Sequence, residues 1–214
     1  MRRIPTPEET LAIFGKASAS LRITAAVCAY TGCRVGEALA LTWQAVDLEA
    51  ATIDIRATTY RPRGGGHGLE LTEPKTERSK RAIPIPAGLV AELKAWKATL
   101  PAVPITGPVI ASAVGTPRDY SNLANELRAI CKELNLEGVT FHAWRHSAAT
   151  VMMEAGVPDR VIADILGQDV RTTRRIYQHT RDPIARAATN VLGDGLSKSG
   201  LPSGLHGTVD GVVQ

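Results

Sequence analysis

Thr31-Gly32-Cys33-Arg34-Val35-Gly36-Glu37-Ala38-Leu39-Ala40-Leu41-Thr42-Trp43 is the stretch on which the fold turns. Upstream, Leu21 to Tyr30 carries apolar residues at helical spacing, and Thr31-Gly32 supplies the stop. Downstream, Val35 to Leu41 repeats the pattern over a shorter helix. Arg34 therefore lies at a joint between two helices, after a helix-ending glycine and before an apolar residue, where a free surface arginine is not expected.

Working outward, Thr6, Pro7 and Glu9 form a helix start: a capping threonine, a proline at the first helical position, and the glutamate of a Thr-x-x-Glu capping box. Beyond the quoted stretch the period changes. Thr52 to Arg56 alternates, Gly64-Gly65-Gly66 marks a turn, and Arg81 to Ile85 reads as a last strand, which together predict a small antiparallel sheet. Helical spacing returns over Leu89–Leu100, Ser121–Leu134, Phe141–Ala155, Pro158–Leu166 and Pro183–Leu192, with Gly156 and Gly167 as stops. Residues 193–214 are rich in Gly and Ser and without periodicity, which predicts a disordered tail. The expected fold class is mainly α with a small antiparallel β-sheet, in one domain over residues 1–192.

Composition agrees with one domain, since 214 residues at 44% hydrophobic content suffice for one sizeable core. A formal charge of +4 and a pI near 9.1 suit a polyanionic partner without identifying one. Cys28, Cys33 and Cys131 are odd in number and contain no Cys-x-x-Cys pair, so they read as buried thiols in a reducing cytosol rather than a zinc or disulfide set. Met1-Arg2-Arg3 is not followed by an apolar signal sequence, and no apolar run approaches the ~18 residues of a membrane span. Gly64-Gly65-Gly66 is not a phosphate-binding P-loop, because no Gly-Lys-Ser/Thr follows. Trp43 and Trp144 read as packing residues.

Four stretches, the opening one among them, carry chemistry-bearing residues in order: Thr31 to Trp43 followed by Asp47; Pro74-Lys75-Thr76 leading to Ile85-Pro86; His142-Ala143-Trp144-Arg145-His146; and Leu166-Gly167-Gln168 leading to Tyr177. Together they resemble the catalytic domain of the tyrosine recombinases, the phage-integrase family, from about Thr6 to Leu192. The resemblance implies that family's catalytic-domain architecture and a site-specific recombinase that cuts and rejoins double-stranded DNA through a 3′-phosphotyrosine, with no metal or small-molecule cofactor. It implies Tyr177 as nucleophile, Lys75 as the general acid on its hairpin, and a tetramer on DNA in which Pro183–Leu192 is the segment placed to reach a neighbour. The family carries an N-terminal DNA-clamping domain; none is recognised here, so the expectation is a catalytic domain without it. The protein is expected in the cytoplasm of a bacterial or phage-encoded system, nucleoid-associated; a DNA-binding remnant without catalysis and a type IB topoisomerase-like enzyme are the competing readings.

The residue types suit that chemistry. Charge gathers on the non-bridging oxygens of a phosphodiester in the transition state, and two always-ionised, fork-shaped guanidiniums match them, which makes Arg34 and Arg145 a phosphate clamp. A phenol of pKa about 10 is roughly a thousandth ionised at neutral pH, so Tyr177 needs a proton acceptor, for which His142 is the candidate. His146 reads as a core histidine bonded within its own helix. At the position after Leu166-Gly167 the family pattern has histidine or tryptophan, and this chain has Gln168, whose neutral amide can still donate to the scissile phosphate. If phosphate contacts carry the affinity, duplex DNA binding falls steeply with salt: four contacts correspond to roughly a hundredfold loss between 50 and 200 mM. A flat salt response in a fluorescence-anisotropy titration counts against DNA as partner.

Overall fold

Helix α2, Ala19–Thr31, has apolar or small residues on almost every side, and Leu21, Ile23, Ala25, Ala26, Val27 and Cys28 are all buried. A helix apolar all round belongs at the centre of a core, and α2 packs against α1 (Pro7–Lys16), α3 (Val35–Leu39), α4 (Ala87–Thr99), α5 (Tyr120–Glu133) and α6 (Phe141–Glu154). The computed structural model describes residues 3–60, 70–72, 79–101, 104–112 and 114–176. Within that range α7 (Asp159–Leu166) and α8 (Val170–Ile176) complete the helices.

Local signals explain the boundaries. The Thr6 hydroxyl accepts from the Glu9 N–H at 3.2 Å and the Glu9 carboxylate accepts from the Thr6 N–H at 3.0 Å, the reciprocal capping box that the first residues predict. Helix α2 begins two residues before the predicted Leu21, because Ser18 caps it through the Leu21 N–H. It ends as expected at Gly32, which adopts the left-handed conformation with φ 65°. Helix α3 stops at Leu39 rather than Leu41: beyond it the chain turns outward, Thr42 pairs with Pro108, and the Val109 N–H donates to the Leu41 carbonyl. The N–H groups of Ala40 and Leu41 still bond back to Gly36 and Ala38, while the Leu41 carbonyl is taken by Val109 instead of a following helical N–H.

The β structure divides in two. Strands β1 (Val46–Asp47), β2 (Thr52–Ile55) and β5 (Arg81–Pro84) form an antiparallel sheet in the order β1-β2-β5, and β3 (Thr58–Tyr60) pairs with β4 (Glu70–Thr72) as a separate antiparallel ladder. The single small sheet of the sequence expectation is thus two. In the β2–β5 register Ile53 faces Ile83 and Ile55 faces Arg81. The period-2 alternation sends Ile53, Ile55, Ile83 and Ile85 into the core.

Aromatic residues close the far side of α2. Trp144 is 1% exposed, its ring lies 6.4 Å from Phe14 and 5.8 Å from Phe141, and its indole N–H donates to the Thr10 hydroxyl at 3.2 Å. Trp43 is buried as well, and all three cysteines are buried free thiols. Among the described residues no helix is long and apolar enough to cross a membrane. Helix α8 has no counterpart in the sequence expectation, because seven residues with three arginines and two threonines show too little apolar periodicity to mark one. The predicted Gly64-Gly65-Gly66 turn, the Pro183–Leu192 helix and the 193–214 tail lie outside the described residues.

Gly32 is sterically committed as well as left-handed: a Cβ there would sit 2.5 Å from Leu166 Cδ2 and 3.1 Å from Ala148 Cβ. Gly32→Ala is expected to destabilise the protein by at least about 2 kcal/mol, combining ~1–2 kcal/mol for the left-handed backbone with overpacking. Gly15→Ala, at the penultimate position of α1 with nothing within 4 Å of the new Cβ, is expected to stabilise by about 0.5 kcal/mol at most. Urea unfolding of the two variants reads both signs.

Candidate active site

Arg145 sits four residues after Phe141 and four before Ala149 on α6, so helical spacing sends it to the same inward face. Its side chain is buried, with the residue 4% exposed. Nη1 donates to the Gly32 carbonyl at 2.8 Å and Nη2 to Gln168 Oε1 at 2.7 Å. The Gly32 carbonyl belongs to the α2 terminus, where helical acceptors lack intrahelical donors, so the turn that ends α2 also seats the guanidinium. Burial lowers the Arg145 pKa to about 10, with the charges of Arg34 and Arg81 pushing in the same direction and Glu37 opposing them. The group stays protonated at neutral pH. Its charge is held in the core by two neutral acceptors.

Arg34 is the N-cap residue of α3. Its backbone N–H donates to Glu37 Oε2 at 2.9 Å and its Nη1 to Glu37 Oε1 at 2.9 Å, while the side chain remains 47% exposed. Glu37, at the N3 position, is 4% exposed and also accepts from Arg81 Nη2 at 2.9 Å. Burial pushes the Glu37 carboxyl up, but the Arg81 charge and hydrogen bond, the Arg34 N–H and the Arg34 charge outweigh it, and the group ends below the usual carboxylate range.

Arg81 is the residue that sequence reasoning missed. The sequence places it only at the start of the last strand and gives it no role, yet its side chain is 7% exposed. Nε donates to the Ile165 carbonyl at 2.6 Å and Nη1 to the Ser79 carbonyl at 3.0 Å. A signal existed: Arg81, Ile83 and Ile85 alternate with exposed Ala82 and Pro84, so the strand period that buries the isoleucines turns Arg81 inward too. Gly167, at φ 60°, makes room, since a Cβ there would lie 2.5 Å from Arg81 Nη1. Three guanidiniums thus surround one carboxylate, leaving a local excess of positive charge beside exposed Arg34.

His142 is exposed on the first turn of α6, and His146, one turn on, is half-buried rather than in the core. Their rings meet edge-on at 4.5 Å between centroids. Gln168 lies between α7 and α8; its Oε1 accepts from Arg145 and its Nε2 donates to the buried Thr173 hydroxyl at 2.8 Å. One amide hydrogen is thereby used inside the protein, and a contact with a phosphate would draw on the other. The structure therefore brings together Arg34, Arg145 and Gln168 around the Glu37–Arg81 pair. Lys75 and Tyr177 lie outside the described residues. Among the described residues no cluster of three or more His, Cys, Asp or Glu side chains could hold a metal ion.

The model of the family described as "Phage integrase family" matches residues 6–183. The chain is 31% identical over 181 residues to a tyrosine recombinase XerC-like protein of Caldanaerobacter subterraneus, covering 76% of this chain and 45% of that protein. It is 31% identical over 179 residues to the integrase of a Staphylococcus phage, covering 78% and 49%. The chain thus spans about half the length of these curated relatives. The Tn1549 transposon integrase, solved in complex with a circular intermediate DNA, shares the fold at a TM-score of 0.75 and 20% identity, over 90% of this chain and 66% of that one.

The buried Glu37–Arg81 pair sets a pH dependence. Because the folded-state Glu37 pKa lies below its unfolded value, its contribution is present above the ordinary carboxylate range and is lost as pH falls through the folded value. Glu37→Gln is expected to lose about 3 kcal/mol or more at pH 7, where it breaks a buried pair. That gap should narrow on acidification below about pH 4, measured by urea unfolding at both pH values.

Proposed function

The chain belongs to the phage integrase family, and on that premise we propose that it is a site-specific DNA recombinase of the integrase type. Its substrate is double-stranded DNA, which it cuts and rejoins through a covalent 3′-phosphotyrosine. The observation that carries this reading is the guanidinium arrangement at the α2–α3 joint. Arg145 is held charged in the core, and Arg34 stands half-exposed beside a carboxylate already shared with Arg81. Such a site gains most from an anion, because an incoming phosphate offsets the repulsion among the cations and the desolvation of Arg145.

In the proposed mechanism Arg34 and Arg145 bind the non-bridging oxygens and stabilise the charge that grows on them. The Tyr177 phenol attacks phosphorus, its proton passing to His142, and the P–O5′ bond breaks as Lys75 protonates the departing 5′ oxygen. Attack by a 5′ hydroxyl on the phosphotyrosine reverses the sequence and reseals a strand. Since the phosphotyrosine conserves the energy of the broken bond, the cycle draws on neither nucleotide nor metal. Residues 1–192 form the catalytic domain in this reading, in support of which the family match runs from 6 to 183. It acts in the cytoplasm as a tetramer assembled on DNA.

The test is a metal-free incubation with nicked suicide duplexes. Wild type is expected to form an SDS-stable protein–DNA adduct, and Tyr177→Phe none. Arg145→Lys, which keeps charge but loses the fork that spans Gly32 and Gln168, is expected to slow adduct formation by on the order of 10²-fold or more. DNA binding without any adduct in wild type would instead support a non-catalytic remnant that occupies its site.

A further inference from the structure

The side chain of Gln168 has only one chemically consistent orientation. Arginine donates and never accepts, so the amide atom facing Arg145 Nη2 at 2.7 Å is the oxygen, and the nitrogen must face Thr173 Oγ1 at 2.8 Å. A three-member chain results: Arg145 on α6 donates to Gln168, and Gln168 donates to Thr173 on α8. Thr173 is completely buried, on a helix otherwise rich in arginine and held to the body by α7. Besides this bond, α8 is tied through Arg174 Nε, which donates to Asp159 Oδ2 at 3.2 Å on the surface. An exposed ion pair contributes little to order, whereas a buried, charge-assisted chain fixes geometry.

We propose that Thr173 is a positioning residue. Through Gln168 it fixes α8 against the buried guanidinium of Arg145, so that the helix whose sequence runs on to Tyr177, four residues later, is registered to a phosphate-binding arginine. Gln168 acts in this chain as the link, by its oxygen on one side and its nitrogen on the other. An imidazole could not serve identically: bonding a donor-only guanidinium and donating to a hydroxyl would require one neutral tautomer, and a protonated ring would lose the acceptor facing Arg145. The amide keeps both bonds at every pH. This inference rests on the recombinase reading for its catalytic consequence, but the chain itself can be tested without activity.

Two measurements on the full-length protein decide it. In the first, the Gln168 side-chain amide is followed by ¹⁵N NMR. Slow hydrogen exchange is expected in wild type and Thr173→Ser, and fast exchange in Thr173→Val, whose near-isosteric side chain fills the site without accepting a bond. Equal exchange in wild type and Thr173→Val overturns the chain whatever the enzyme does. In the second, single-turnover cleavage of a suicide duplex is compared with duplex affinity. Thr173→Val is expected to cleave 10–100-fold more slowly with Kd within about twofold, the penalty of a misplaced reacting group, and Thr173→Ser to recover to within about threefold. On a Gln168→Ala background Thr173→Val should have less than about a twofold further effect, because both substitutions cut one chain. Multiplicative losses, or normal cleavage in Thr173→Val alongside slow cleavage in Gln168→Ala, would overturn the proposal and place Gln168 on the phosphate. If wild type forms no adduct, the recombinase reading fails, and the exchange experiment alone still decides the positioning chain.

Discussion

A single buried carboxylate organises the site. Glu37 bonds the backbone and side chain of Arg34 on one side and the side chain of Arg81 on the other, and through them it joins the α2–α3 corner to β5 and, by way of the Arg81 bond to the Ile165 carbonyl, to the end of α7. An ion at 4% exposure is tolerable only with such complete pairing. The same bonds hold Arg34 at the mouth of the site with part of its guanidinium surface facing water. The carboxylate sets where the cations stand.

Arg145 shows a different solution to the same problem. Its two acceptors are neutral, so the burial that lowers its pKa to about 10 is not fully offset inside the protein. The retained charge costs on the order of 3 kcal/mol relative to a solvated guanidinium. A fold that carries this cost beside two further guanidiniums is built to be stabilised by an anion. Under the proposed recombinase function, that cost would be offset by the phosphate charge the site binds.

Much of this is legible in the sequence. The Thr6 capping box, the Gly32 stop and the inward isoleucines of β2 and β5 are local signals, and each reappears in the structure. Arg34 stood out because it interrupts two apolar helices. What sequence reasoning missed, it missed for identifiable reasons. Arg81 reads as the first residue of a strand, and alternation with Ile83 and Ile85 turns it inward, but nothing local names Glu37 as its partner. Helix α8 is too short and polar to announce itself. His146 looked like a core residue but stands half-buried, because helical spacing puts it one turn from exposed His142 on the same face.

By itself the sequence determined the class of fold and the identity of the candidate chemistry, because helix caps, glycine stops and strand alternation act over a few residues and the arginine, lysine, histidine and tyrosine motifs recur in a recognisable order. Only the tertiary structure decided the partnerships: Arg145 with Gly32 and Gln168 across 113 and 23 residues of chain, Arg81 with Glu37 across 44, Gln168 with the hidden hydroxyl of Thr173. Those contacts depend on how α2, α3, α6, α7 and β5 pack around one core, and a buried polar group takes whichever partner that packing delivers, which no local spacing encodes.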